Sequence, residues 1–141
     1  MKIPYIIRQI ETKQFAIFPD AFTNGETVKV SSEYGFGVID DIKAILCNAI
    51  FRYEQKSKLL LVLEMACVFE IAPEGVEAIK KNDNVIPKGF LQYMASISVG
   101  TARGIIHAKT EGSVLNSVVL PPINLTEIIK DDMPISSSSE K

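Results

Sequence analysis

The sequence predicts an α+β fold built on an antiparallel sheet, and three observations carry that prediction. Strand-forming residues fill the first half of the chain, and a helical period begins only after Pro73. Two long strands also meet across only four polar residues, Glu54 to Ser57, which makes them an antiparallel pair.

The opening strand is read from Ile6 to Phe18, where β-branched and aromatic residues cluster, and Pro19-Asp20 ends it. Pro19, Asp20, Asn24 and Gly25 then supply loop chemistry. Strand signals return at Thr27 to Ser31 and run more strongly from about Phe36 to Tyr53. Glu54-Gln55-Lys56-Ser57 makes a short polar turn into the strand Lys58 to Ile71. Two long strands so joined predict an antiparallel hairpin.

Along that strand Leu59, Leu61, Leu63 and Met65 point to one side. Leu60, Val62, Ala66 and Val68 point to the other, with Glu64 as the exception. Both faces therefore want cover. One can take the domain's own helices, and the other needs a partner chain, a bound polypeptide or a second layer.

Pro73 to Lys81 reads as a short helix with Val76 and Ile79 inward, broken by Asn82-Asp83-Asn84. From Lys88 to Lys109 the period is helical, with Phe90, Tyr93, Met94, Ile97, Thr101, Ile105 and Ala108 on one stripe. The opposite side is small, at Ala95, Ser98 and Ala102, which predicts a second helix packed closely there. Gly100 and Gly104 cost about 1 kcal/mol each against Ala, a cost expected to serve close packing. Ser113 to Leu120 reads as extended before Pro121-Pro122. Asn124 caps a last short helix to Lys130, with Glu127 completing a capping box. Residues 1–135 form the single predicted domain, and 136–141 a disordered, Ser-rich tail.

Composition closes several functional classes. The 141 residues are 47% hydrophobic and 23% charged, enough for one core. A net charge of −2 with scattered basic residues gives no electrostatic case for nucleic acid or a membrane surface. No segment approaches the roughly 20 apolar residues of a membrane helix. Arg8 and Pro4 interrupt the apolar start, so no signal-peptide core is read and a cytoplasmic location is expected. Cys47 and Cys67 sit in no CxxC pair and are expected as buried thiols. With one histidine they fall short of a zinc site.

Catalytic constellations are weak. His107, the single histidine, reads as a helix-terminal cation, and nothing brings Cys67 to it as a dyad. Asp40-Asp41 in a strand would point to opposite faces and share no site, and a turn or a solvated bulge is expected there. Tyr34-Gly35-Phe36-Gly37 lacks the third glycine and the helix of a phosphate loop. No catalytic residue, metal or cofactor is expected.

Several patches in order resemble the SecB family of protein-export chaperones. Ile10-Glu11-Thr12-Lys13 is similar to the family's Ile-x-Thr-Lys, and Phe90 through Arg103-Gly104 to its main helix. Leu120-Pro121-Pro122-Ile123-Asn124-Leu125 is similar to its Leu-x-Pro-Val-Asn-Phe. Cys67-Val68-Phe69 stands where the family has Gly-Ile-Phe. Residues 105–117 are an insertion relative to the family.

That resemblance implies a SecB-like fold, a four-stranded antiparallel sheet with a long helix and a short C-terminal helix. It implies a homo-oligomer, a dimer of dimers with helices between sheets, in which Leu59, Leu61, Leu63 and Met65 support assembly. It implies an ATP-independent holdase for unfolded polypeptides or preproteins. Their apolar burial, at about 25 cal/mol per Å², would supply the attraction. The candidate client groove comprises Phe36, Val38, Ile42, Leu125 and Ile128. Docking of the SecA motor is in doubt, because the family's acidic positions correspond here to Gln14, Phe18 and Val62. The alternative is a dedicated SecB-like chaperone for one partner, such as an antitoxin.

Overall fold

The computed structural model describes residues 2–135; the tail expected at 136–141 lies outside the described residues. Four long strands form one antiparallel sheet: β1 (Tyr5–Ile17), β2 (Lys29–Ile39), β3 (Ala44–Gln55) and β4 (Lys58–Ile71). Their order across the sheet is β1-β4-β3-β2. Two-residue strands β5 (Val85–Ile86) and β6 (Met133–Pro134) pair separately. The helices are α1 (Pro73–Lys81), α2 (Lys88–Lys109) and α3 (Leu125–Ile128). The four-stranded sheet, the long helix and the short C-terminal helix are those that the family resemblance implied.

The region read as one strand from Phe36 to Tyr53 is two strands. Asp40, Asp41 and Ile42 all adopt positive φ, at 51°, 53° and 72°, and turn the chain without a glycine. Such a conformation costs roughly 1–2 kcal/mol per residue. Ile42 offsets part of it by burying its side chain to 2% exposure. The Lys43 amide bonds the Asp40 carbonyl at 3.1 Å, and Lys80 of α1 ion-pairs Asp41 at 3.3 Å. The strand signals at Thr27–Ser31 and Phe36 belong to one continuous strand, β2. The hairpin between β3 and β4 turns on Lys56 and Ser57 alone, both left-handed. Glu54 and Gln55, read as turn, complete β3.

The sheet divides into two unlike faces. On one, Ile45, Cys47, Ala49, Phe51 and Tyr53 of β3 and Leu61, Leu63, Met65, Cys67 and Phe69 of β4 are fully buried. α2 covers them. Its buried residues are Leu91, Met94, Ala95, Ser98, Val99, Ala102 and Ile106. This corrects the expected facing of the helix. The buried stripe lies about 100° round from the one read from Phe90 to Ala108, one residue's rotation. Ala95, Ser98 and Ala102 face the sheet, where Ser98 lies beside the Cys47 and Cys67 thiols, rather than another helix. Gly100 and Gly104 meet nothing within 4 Å of a built Cβ, so no contact within the described chain explains them.

On the other face, described residues provide no second layer. Leu46, Ile50 and Val62 remain half-exposed among polar neighbours. Asn48 donates to Glu64 at 3.1 Å there, and Arg52 pairs with Glu33 at 2.6 Å. One sheet face packs on the helices, whereas the cover that the double apolar pattern of β4 predicted for the other is not supplied by the described residues.

After α2 the chain returns along the helix. Residues 105–109 of the apparent insertion simply extend α2, and a 3₁₀ turn at Val114–Ser117 replaces the extended segment read there. α3 stops at Ile128, two residues short of Lys130. Asn124 caps it by accepting from the Thr126 amide at 3.2 Å, while the reciprocal Glu127 half of the box does not form.

Candidate polypeptide-binding surfaces

Two surfaces on the helix-bearing side combine apolar side chains with exposure. The first lies between β2 and the return segment. Phe36 and Val38 stand opposite Cys47 and Ile45, so their side chains share the helix side of the sheet. Both are half-buried and pack on the core cluster that contains Ile42 and Leu125. Leu125 is only 8% exposed, whereas Ile128, outside that cluster, is 47% exposed. Ile42 and Leu125 thus belong to the main core of the protein, and Phe36 and Val38 pack against it. That placement leaves Ile42 and Leu125 little surface for a client. Phe36, Val38 and Ile128 retain it.

The return segment is held by five hydrogen bonds. Tyr53 donates to the Val118 carbonyl at 3.3 Å, and Arg103 to the carbonyls of Leu120 and Pro121 at 2.6 and 2.9 Å. Gln92 donates to the Ile129 carbonyl at 2.7 Å, and the Lys88 amide to Asp132 at 2.8 Å. Burial pushes the Tyr53 hydroxyl up to about 12, so it remains a donor across the physiological range. Beyond these anchors Val114 and Val119 stand exposed.

A crossover loop joins β1 to β2. Its Phe18 is exposed, while Ala21, Phe22 and Val28 pack on the core. Gln55, read from sequence as a polar turn residue, is buried and fixes this loop. Its amide accepts from the Thr23 amide at 2.8 Å and donates to the carbonyls of Thr23 and Glu26 at 3.0 Å each. A lone Gln among charged turn residues gives no signal of that role.

The second surface lies between the edge strand β1 and α2. Tyr5 bonds Tyr93 hydroxyl to hydroxyl at 3.0 Å at one end, and Lys109 sits 5.5 Å over the Phe15 ring at the other. Between those ends Ile7 and Ile10 pair with Phe69 and Cys67, and so face the helix side. They are nevertheless 44% and 51% exposed, because α2 lies over β3 and β4 and reaches β1 only near Tyr5 and Phe15. Gly100 and Gly104 lie on the uncovered flank of α2.

Leu61, Leu63 and Met65 are absent from both surfaces. They have no exposed area and lie under α2, and Leu59 is only partly exposed. This corrects their reading as an oligomer interface. The family resemblance implied that role, and the apolar face formed by Leu61, Leu63 and Met65 is part of the intramolecular core.

The catalytic readings do not assemble. Cys67 is buried beneath the middle of α2. His107 is exposed about 13 Å further along the helix axis from Ser98, 3.7 Å from Glu111. Among the described residues no group of three metal-binding side chains occurs. No helix among them is long and apolar enough to cross a membrane.

No protein-family model matches the chain, and no curated protein does. Among solved structures it is similar to a chain from Mycobacterium tuberculosis, the Rv1957 SecB-like chaperone in complex with a ChAD peptide from the Rv1956 HigA1 antitoxin. The identity is 17% and the TM-score 0.49, over 84% of this chain and 90% of that one.

Proposed function

We propose that this chain is an ATP-independent chaperone that holds polypeptides on apolar surface, and that it serves one partner or a few rather than export clients at large. The observation that carries the reading is the placement of its exposed apolar side chains. Among the described residues Ile7, Ile10 and Tyr93 flank the β1–α2 cleft, and Val114, Val119 and Ile128 follow the return segment. A soluble monomer seldom leaves apolar residues grouped in this way without a partner.

Two surfaces suit two tasks. The β1–α2 surface combines an unpaired strand edge, Ile7 and Ile10, and an α2 flank bared by Gly100 and Gly104. It suits a second copy of the chain, giving a dimer and, through the helices, the dimer of dimers that the SecB resemblance implies. The β2–α3 surface, with Phe36, Val38 and Ile128, suits a client. Several copies in one particle would give a client linked sites and avidity.

The narrower client range is favoured by the positions where export members carry acidic residues for SecA. Gln14, Phe18 and Val62 offer no carboxylate. An antitoxin-like partner fits this version, and it is also the kind of partner bound to the mycobacterial chain. The broad reading, a holdase for preproteins docking on SecA in the cytoplasm, is the second version.

The test is suppression of aggregation without nucleotide, followed by light scattering, together with capture of bound proteins from the native host. Suppression lost in Ile128→Asp with the fold intact is expected. Capture dominated by one small protein supports the dedicated version, and many unrelated clients with SecA support the broad one. Failure to suppress aggregation of any client, including the captured ones, would overturn both.

A further inference from the structure

A cavity of about 480 Å³ lies at the opposite end of the sheet from the β3–β4 hairpin, between the β2–β3 turn and α1. Its apolar lining is Ile71, Pro73 and Val76. Charged side chains of both signs surround that lining, and they divide into committed and free groups. Lys80 holds Asp41 at 3.3 Å, and Arg8 reaches Glu70 at 3.9 Å. Asp40, Glu77 and Lys43 also line the cavity, and none of them has an ion-pair partner among the described residues.

We infer that this cavity binds a small basic α-amino acid, such as arginine or lysine. The assignment follows from the free groups. Two carboxylates and one ammonium call for a ligand with two cations and one carboxylate, and an aliphatic stem for the apolar lining. A free basic amino acid carries these together. Its carboxylate would meet Lys43, its two cationic ends Asp40 and Glu77, and its methylenes Ile71, Pro73 and Val76. The volume is within the range of small-molecule sites. The site is half-open and its ion pairs are hydrated, so affinity on the order of 1 mM is expected. Asp40, Lys43 and Glu77, which would hold the ligand, are not among the residues of either polypeptide surface.

The test is a titration of the full chain with L-arginine and L-lysine, followed by amide NMR shifts. Saturable shifts confined to residues 40–43 and 70–80 are expected. Agmatine, which lacks the carboxylate, and leucine, which lacks the second cation, should bind on the order of tenfold more weakly. Asp40→Asn with Glu77→Gln should lose binding on the same scale. Should that variant unfold, Lys43→Gln and the ligand series decide, Lys43→Gln abolishing the preference for arginine over agmatine. No saturable shift, shifts elsewhere, or equal binding of arginine, agmatine and leucine overturns the assignment.

Discussion

The guanidinium of Arg103 donates to the carbonyl of Leu120 at 2.6 Å and, through its second nitrogen, to that of Pro121 at 2.9 Å. Two sequence patches that carry the family resemblance, Arg103-Gly104 and Leu120-Pro121-Pro122, are thus one structural unit. The bond needs Arg at the helix and a non-helical backbone opposite, which the two prolines enforce. The unit lays the return segment along α2 and so sets where α3 and Ile128 stand.

Arg103→Ala is expected to destabilise the chain by about 2 kcal/mol, since two charge-assisted bonds to backbone carbonyls are lost. Arg103→Lys should restore little, because an ammonium cannot reproduce the fork. Chemical denaturation checks the size. Hydrogen exchange checks the site, with the amides of residues 118–129 losing protection before those of β3 and β4.

Gln55 plays the corresponding role for the crossover loop. Gln55→Ala removes three hydrogen bonds from a side chain that is only 3% exposed, but water can re-solvate the exposed Thr23. A loss of about 1–3 kcal/mol is expected. Gln55→Glu should be no better, because a carboxylate cannot donate to the Thr23 and Glu26 carbonyls. Thermal melts of the two variants would show it, and proteolysis should cut first between residues 18 and 28.

Much of the fold was legible in the residues themselves. The bounds of β4, α1 and α2 coincide with the sequence reading, because strong periodicity, Pro73 and the Asn82-Asp83-Asn84 break act locally. The turn at Asp40–Ile42 was legible only in part: Asp40-Asp41 announced a turn or a bulge, but not that it would divide Phe36–Tyr53 into two strands. It has no glycine, and tertiary contacts of Ile42 and Asp41 hold it. The facing of α2 was misread because small residues announce a close approach without saying to what, and here the neighbour is the sheet. Leu61, Leu63 and Met65 looked like surplus apolar surface because the sequence does not reveal how much of β4 one helix covers. Of the residues proposed for the groove, Phe36, Val38 and Ile128 keep accessible surface while Ile42 and Leu125 are buried, a division set, like the role of Gln55 and the β1–α2 surface, by contacts distant in sequence.

Cys47 and Cys67 pair directly across β3 and β4. The Ile71 amide bonds the Lys43 carbonyl at 2.8 Å, and the register runs unbroken from there to Tyr53. Cys47–Cys67 therefore falls on a hydrogen-bonded pair. Cβ atoms in such pairs are about 5.5 Å apart, against the roughly 3.5–4.5 Å a disulfide needs. Burial first, with some help from Cys67, pushes the Cys47 thiol up to about 11, and burial also raises Cys67. Ellman's reagent should label neither thiol in the native protein and both on unfolding. The folded state keeps the Cys47 proton after the unfolded state has lost it. Stability is therefore intact below about pH 8.5 and falls toward pH 11, by up to about 1.4 kcal/mol per pH unit. Cys47→Ala should flatten that fall, as read by urea midpoints across the window.

The α2 flank gives a prediction in which protomer and assembly respond in opposite directions. Gly100 and Gly104 each cost the isolated helix about 1 kcal/mol against Ala, and a Cβ at either meets nothing within 4 Å in the protomer. Gly100→Ala with Gly104→Ala should therefore stabilise the protomer. If the flank receives a second copy of the chain closely, as the proposed assembly requires, two methyl groups per helix intrude on that contact. The assembly is then expected to weaken while the helix strengthens. Light scattering should give a mass nearer the protomer's, and helical circular dichroism should survive to higher urea. A double variant that is more stable and assembles as the parent does would leave these glycines no role at an interface.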